Sequence, residues 1–155
     1  MSNDLHRTPK ELIKFVLGWK RITLDPCADD DKANWYAVNN ITAKQDGLTY
    51  RWLSLTFANP PYSYGNLPKW TAKASYEFKV CNIESVLLVP VDPSTTWWQD
   101  TMSSKRVWCA VKKRIHFEGQ VNGSPKFPSA FIYYGSDTES FIKRFSLIGQ
   151  CHRVM

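Results

Sequence analysis

The sequence has no apolar run approaching the ~20 residues that span a bilayer. Its opening Met1-Ser2-Asn3-Asp4 also lacks the basic and apolar layout of a secretion signal. A soluble, cytoplasmic protein without a membrane partner is therefore expected. Paired metal ligands are missing too: Cys27, Cys81, Cys109 and Cys151 are widely spaced, with no C-x-x-C and no paired histidines. That spacing argues against zinc, and no metal is expected. In a reducing compartment the default is four free, mostly buried thiols. None reads as a strong nucleophile. No G-x-G-x-x-G or P-loop follows the first strand pattern, which disfavours a dinucleotide or nucleoside triphosphate site. Acids are in the minority, 14 against 20 Lys and Arg, giving a net charge of +6. That balance suits an anionic partner such as nucleic acid, and it also suits plain solubility.

What is present is a globular chain of 155 residues, 43% hydrophobic and 14% aromatic, enough for one domain with its own core. Basic residues gather at Lys105, Arg106, Lys112, Lys113 and Arg114, and again at Lys143, Arg144 and Arg153. Acids gather early, at Asp25 and Asp29 to Asp31. This asymmetry points to one side that faces a polyanion.

The most informative stretch is Trp52-Leu-Ser-Leu-Thr-Phe-Ala-Asn-Pro-Pro-Tyr62, a strand-like apolar run closed by Asn59, two prolines and an aromatic. Proline fixes its own φ and holds the preceding residue extended, so Asn59 and Pro60 are kept out of the helical region. The Asn59 side chain and the carbonyls of Asn59 and Pro60 then point in fixed directions, with no amide hydrogen on Pro60 or Pro61 to compete. Tyr62 offers a flat face beside them. Such a site can hold a planar heterocycle bearing an amine, with two oxygens accepting its hydrogens and a ring stacked on it. A plain connecting turn has the same residues, but rarely straight after an apolar strand.

Along the chain, Thr8-Pro9-Lys10-Glu11 carries a capping box and an N-terminal proline, so Thr8 is expected to cap a helix buried through Leu12, Ile13, Phe15, Val16 and Trp19. Arg21 to Ala28 reads as a short strand ending at Asp25 and Pro26. Asp29 to Asp31 read as a solvated loop or the first turn of a helix whose buried side would be Trp35 and Tyr36. Ile41 to Leu48 reads as a loop around the Asp46-Gly47 turn signal. Ser63 to Pro68 reads as a flexible loop, and Pro68 to Val80 has helical spacing. Ser85 to Pro90 is a continuous apolar run, as in a buried parallel strand. A helix over Thr95 to Met102 follows. Val107 to Val111, Arg114 to Glu118 and Pro128 to Tyr134 read as strands, the last two joined by Asn122-Gly123-Ser124-Pro125 into an antiparallel hairpin. Phe141 to Ile148 is a short helix or strand. The pattern implies a compact α/β sheet, mostly parallel with an antiparallel C-terminal hairpin, and a ligand crevice at the strands' carboxyl ends with Asp25 and Asn59 on its rim.

At this point the residues resemble a known family. Asn59-Pro60-Pro61-Tyr62 matches the catalytic signature of S-adenosylmethionine-dependent amino-methyltransferases, which have a Rossmann-like sheet. From about Thr8 to Tyr134 the chain is similar to the phage-encoded DNA adenine methyltransferases. The supporting pieces are Thr8-Pro9, Leu24-Asp25-Pro26-Cys27-Ala28, Gln45-Asp46-Gly47-Leu48, Val86 to Pro90 with Thr96-Trp97-Trp98, Arg114-Ile-His-Phe117 and Phe127-Pro128-Ser129-Ala130. The resemblance implies methyl transfer from S-adenosylmethionine to the exocyclic amine of adenine in double-stranded DNA. Asn59 and the Pro60 carbonyl would accept from that amine and Tyr62 would stack on the base. Asp25 and Asp46 would contact the cofactor, and Thr8 and Pro9 would cradle its methionine end.

Two departures accompany the likeness. Asp25-Pro26-Cys27-Ala28 stands where the superfamily commonly has a glycine-rich loop. No separate target-recognition domain fits in the chain, so base specificity would come from Ser63 to Leu67, from Gly119 to Lys126, or from a second subunit in a homodimer. Lys112, Lys113 and Arg114 are the candidates for DNA phosphate contacts, and a solvated strand end fits them nearly as well. Modification of phage DNA against host restriction would suit such an enzyme. The alternatives are methylation of cytosine, RNA or a protein glutamine, and a non-catalytic nucleic-acid-binding or decoy protein that keeps the fold.

Overall fold

A computed structural model describes residues 6–29, 35–119 and 127–155. Asp30, Asp31, the Asn122 to Pro125 turn and most of the Gly119 to Lys126 loop lie outside the described residues. The elements run α1 (Lys10–Leu17), β1 (Ile22–Ala28), β2 (Ala37–Thr42), β3 (Thr56–Ala58), α2 (Asn66–Cys81) and β4 (Ser85–Pro90). They continue as α3 (Thr96–Ser103), β5 (Val107–Val111), β6 (Ser129–Tyr134), α4 (Thr138–Phe145) and β7 (Gly149–Arg153).

The strands form one sheet in the order β2-β1-β3-β4-β6-β5-β7. Neighbours from β2 to β4 pair in parallel, and the pairs β4·β6, β6·β5 and β5·β7 are antiparallel. The sheet is thus mixed, half of its pairings antiparallel, where the sequence pattern suggested a mostly parallel one. The cause is β6, which inserts in reverse between β4 and β5. β5 therefore keeps the direction of β4, so its carboxyl end lies on the same edge of the sheet as those of β1 and β3.

Burial on both faces explains the continuous apolar run of β4. Val86 and Leu88 join one core with Ile13 and Val16 of α1, Phe141 and Phe145 of α4, and Phe57 and Phe131. Leu87 and Val89 join a second core with Trp70 and Ala74 of α2, Trp97 and Trp98 of α3, and Trp52. Period-two alternation sends successive side chains to opposite faces, and helices cover both.

Several sequence expectations are corrected. Trp35 and Tyr36 lie in a turn ahead of β2, with Trp35 59% exposed, not on the buried side of a helix. The apolar run from Trp52 contributes only the three-residue β3. Arg114 to Glu118 is not a strand: only Glu118 pairs, in an isolated bridge with Arg7. Its place beside β6 is taken by β5. The C-terminal segment resolves into α4 and the edge strand β7, whose Gly149 passes so close to β5 that a Cβ there would sit 2.0 Å from the Ala110 carbonyl oxygen. Among the described residues no helix is long and apolar enough to cross a membrane.

Candidate active site

From β1 the chain moves outward to β2, then returns past β1 to β3 on its other side. Connections leaving adjacent strands in opposite directions open a crevice at their carboxyl ends, where open α/β sheets bind ligands. A cleft of about 550 Å³ lies there, within the size range of small-molecule sites. Pro26, Cys27, Ala28 and Asp29 at the end of β1 form one wall, and Asp46, Gly47 and Leu48 another. Asn59 and Pro61 close it, with Asn66, Lys69 and Trp70 of α2 beside them.

Asn59 follows β3 directly, and two prolines after it deny the ladder further donors, so the strand cannot continue. Its Nδ2 donates to the His6 carbonyl and, at 3.0 Å, to Thr8 Oγ1. A carbonyl can only accept, so the His6 contact fixes which way the amide is turned. Oδ1 is thereby held on the other side, where it accepts from the Tyr62 hydroxyl at 2.6 Å. That hydroxyl also lies 2.8 Å from the Leu88 carbonyl. It has one hydrogen for two acceptors.

Thr8 therefore does not cap α1. Pro9 occupies the cap position with no side-chain cap, and its carbonyl accepts from Leu12 and Ile13 at 3.1 and 3.2 Å. The segment 6–8 instead straps across the carboxyl ends of the strands. Arg7 exchanges backbone bonds with Glu118 at 3.0 and 2.9 Å, and its Nε lies 2.9 Å from Asp29 Oδ2.

Tyr62 does not present an open face. Its ring is half-buried among His6 at 5.1 Å, Phe127 at 5.6 Å and Phe117 at 6.2 Å between centroids. Burial, with the nearby Cys27, pushes its hydroxyl well above the usual tyrosine range. It acts as a neutral hydrogen-bond donor. This ring cluster is hard to locate from sequence, because its members come from four separate segments. The alternation of Ile115 and Phe117, both buried, was the one local sign.

Asp25 lies inside β1, 2% exposed, and is not on the cleft wall; neither are Thr8 and Pro9. Its carboxylate accepts from Tyr36 Oη at 2.6 Å and from the Cys27 amide at 2.8 Å, which shapes the end of β1. Asp46 does reach the cleft. It adopts a left-handed φ of 65° in a turn held by the Leu48 amide donating to Oδ1 at 3.0 Å. Gly47 is indispensable to that placement: a Cβ there would sit 2.1 Å from the Pro26 carbonyl oxygen. Trp52 fastens the turn from below, donating from Nε1 to the Gly47 carbonyl at 2.9 Å.

Cys109 is buried and the other three cysteines are half-buried, free thiols all. Burial, reinforced by Asp25, pushes the Cys27 thiol well up, so this cleft-lining cysteine is no thiolate. Among the described residues no group of three or more His, Cys, Asp or Glu is placed to hold a metal. Lys112, Lys113 and Arg114 are exposed just beyond β5, on the sheet edge that carries Asn59. Arg106, by contrast, is buried and does not belong to that basic surface.

The geometry agrees with what a comparison against known families finds. A family model described as DNA N-6-adenine-methyltransferase (Dam) matches residues 1–130. No curated protein matches the chain. The matched span includes the strap at 6–8, both walls of the cleft, Asn59 to Tyr62 and Lys112 to Arg114, and on that match the chain belongs to the DNA N-6-adenine-methyltransferase family, a family of methyltransferases.

Proposed function

We propose that the protein transfers a methyl group from S-adenosylmethionine to the exocyclic amine of an adenine flipped out of double-stranded DNA. The observation that carries this reading is the fixed orientation of Asn59, whose Nδ2 is held by His6 and Thr8 so that Oδ1 is presented as an acceptor. An adenine amine is a poor nucleophile because its lone pair is delocalised into the ring. Oxygen acceptors at the amine favour a tetrahedral nitrogen and stabilise the positive charge that develops on it. The Tyr62 hydroxyl makes this possible without loss: turning its hydrogen to the Leu88 carbonyl frees Asn59 Oδ1 for the substrate. The Pro60 carbonyl is the second acceptor.

The cofactor supplies an activated methyl on its sulfonium, so the chain's task is to position and polarise. The cleft has the volume for it, and its walls join an exposed carboxylate, Asp46, to Asn59. Asp46 is suited to accept from ribose hydroxyls, and the close Gly47–Pro26 approach keeps that carboxylate at the wall. Asp25 acts behind the wall by ordering Cys27 and Tyr36. A base stacked on Tyr62 takes the place of the His6 ring, the one nearest to parallel at 37°. Extrusion of the base costs a few kcal/mol, partly recovered by that stacking. Lys112, Lys113 and Arg114 hold the phosphates on the same edge of the sheet.

The test is to incubate the protein with DNA and methyl-labelled cofactor and digest the product to nucleosides. Label in N6-methyladenine is expected. Label in cytosine or only in RNA would overturn the choice of base or nucleic acid, and absence of cofactor binding by calorimetry would overturn the enzyme reading altogether.

A further inference from the structure

On the face of the sheet covered by α2 and α3 lies a second, smaller cavity of about 190 Å³. Its polar lining includes Thr71, Ser75, Asp100, Thr101, Arg106 and Tyr134. It is separate from the cleft: α2 turns Thr71 and Ser75 to the cavity, and Asn66, Lys69 and Trp70 to the cleft.

Arg106 is the anomaly. Only 7% of it is exposed, its Nε has no hydrogen-bond partner, and no carboxylate among the described residues lies within ion-pair distance. Its guanidinium rests over the rings of Phe78 and Tyr134, at 5.2 and 5.0 Å. Buried charges are ordinarily paired, and the less exposed lysines here obey that rule: Lys73 meets Glu77 at 2.7 Å and Lys20 meets Glu84 at 2.8 Å. The Tyr134 hydroxyl, beside Thr101, is likewise buried and makes no hydrogen bond of ordinary geometry. The Arg106 guanidinium thus faces the cavity unspent, with the Tyr134 hydroxyl beside it.

The acceptors narrow the ligand. Thr71 and Thr101 have committed their hydroxyl hydrogens to the Leu67 and Trp97 carbonyls, at 2.9 and 2.7 Å, so towards the cavity they can only accept. Exposed Asp100 lies on the cavity's lining, and its carboxylate adds only acceptors. A guanidinium and a phenol demand an oxyanion, whereas two spent hydroxyls and a carboxylate demand that this oxyanion still carry a hydrogen. We propose that this cavity binds a protonated phosphate group, either inorganic hydrogen phosphate or the terminal phosphate of a nucleotide. A backbone phosphodiester of duplex DNA is fully deprotonated at neutral pH and brings no hydrogen to these acceptors.

The test is calorimetric titration of the full chain with inorganic phosphate, sulfate and adenosine monophosphate at equal ionic strength and neutral pH. Phosphate should bind at one site, and fully deprotonated sulfate at least about tenfold more weakly, because it brings no hydrogen to the acceptors. Arg106→Met should weaken phosphate at least about tenfold while the cofactor still binds, and Ser75→Leu, which fills the cavity and keeps Arg106, should do the same. Equal or tighter binding of the nucleotide identifies a phosphomonoester ligand, and its exclusion identifies the free ion; either supports the proposal. No phosphate binding by the wild type, sulfate binding as well as phosphate, or undiminished binding by the folded Ser75→Leu variant would overturn it. The Ser75→Leu arm decides the matter if Arg106→Met does not fold.

Discussion

The two halves of the sheet are built differently. In the parallel half, β3 has three residues and shares a single register pair with β1, Leu24 opposite Thr56. In the antiparallel half, β4 and β6 pair over six residues and β5 and β7 over five. All six residues of β6 are buried. The half that holds this short strand carries the candidate chemistry, and the antiparallel half carries a fully buried six-residue strand. The difference has a local cause. Asn59, Pro60 and Pro61 stop β3 early, which sacrifices ladder bonds but releases Asn59 at the edge with its orientation still fixed. The long half supplies the rigidity that a three-residue strand cannot, and it lends one group directly, the Leu88 carbonyl that shares the Tyr62 hydroxyl.

If that division holds, substitutions in the two halves should separate stability from activity. The largest effect is expected from Phe131→Ala at the centre of β6. Phe131 is fully buried against Phe57 and Phe145, and truncation should cost about 3–5 kcal/mol in urea unfolding. A loss near zero would mean that the antiparallel half is not the stabilising one.

Gly47→Ala should come next, at about 1–3 kcal/mol, because the new Cβ collides with the Pro26 carbonyl. Displacement of Asp46 should also raise the cofactor dissociation constant roughly tenfold. An unchanged constant would remove Asp46 from the cofactor site.

Thr8→Val deletes one of the two acceptors that orient the Asn59 amide. We expect kcat to fall roughly 2- to 10-fold, the rate equivalent of one neutral hydrogen bond, with Thr8→Ser restoring it. A raised cofactor dissociation constant at unchanged kcat would instead place Thr8 at the cofactor.

The smallest effect concerns the amino-end edge of the sheet, where Lys20 joins Glu84 at 2.8 Å and Asp137 at 3.0 Å. Burial lowers the Lys20 pKa, but hydrogen bonds and attraction to Glu84 and Asp137 outweigh it and hold the ammonium above its usual 10.5. The Lys20 hydrogen bond holds Asp137 below its usual 3.8. The carboxylate's contribution is present above pH 3.8 and lost as pH falls through the depressed value. The lysine's contribution is present below 10.5 and lost as pH rises beyond it. The gap in urea midpoint between wild type and Lys20→Met should therefore be constant near neutrality and narrow towards both extremes. A gap that does not change with pH would contradict the pairing.

The elements legible in the sequence are those whose burial leaves a periodic trace. β4 shows a continuous apolar run because both of its faces are covered, and α2 shows Trp70, Ala74 and Phe78 at helical spacing. The edge strands β2 and β7 leave no such trace: Ala-Val-Asn-Asn-Ile-Thr and Gly-Gln-Cys-His-Arg take their conformation from a neighbour, not from alternation. Arg114 to Glu118 misleads in the opposite sense. Ile115 and Phe117 alternate and are buried, yet Phe117 packs in the ring cluster around Tyr62 and not in a ladder. Within the candidate site, Asn59-Pro60-Pro61-Tyr62 stands out in the sequence because its residues are contiguous. The enclosure of Tyr62 and the use of Thr8 by Asn59 do not, because the capping-box pattern at Thr8 points to a local partner, whereas its hydroxyl oxygen is claimed by a residue 51 positions away.

The central claim is that Asn59 accepts from the substrate amine and does not serve cofactor binding or folding. Its direct test is Asn59→Ala, assayed for methyl transfer to DNA, for cofactor affinity by calorimetry and for thermal stability. Transfer should fall at least ~100-fold, with the cofactor dissociation constant within about twofold of wild type and the melting temperature nearly unchanged. Transfer within tenfold of wild type, or a loss that merely follows weakened cofactor binding, would contradict the account.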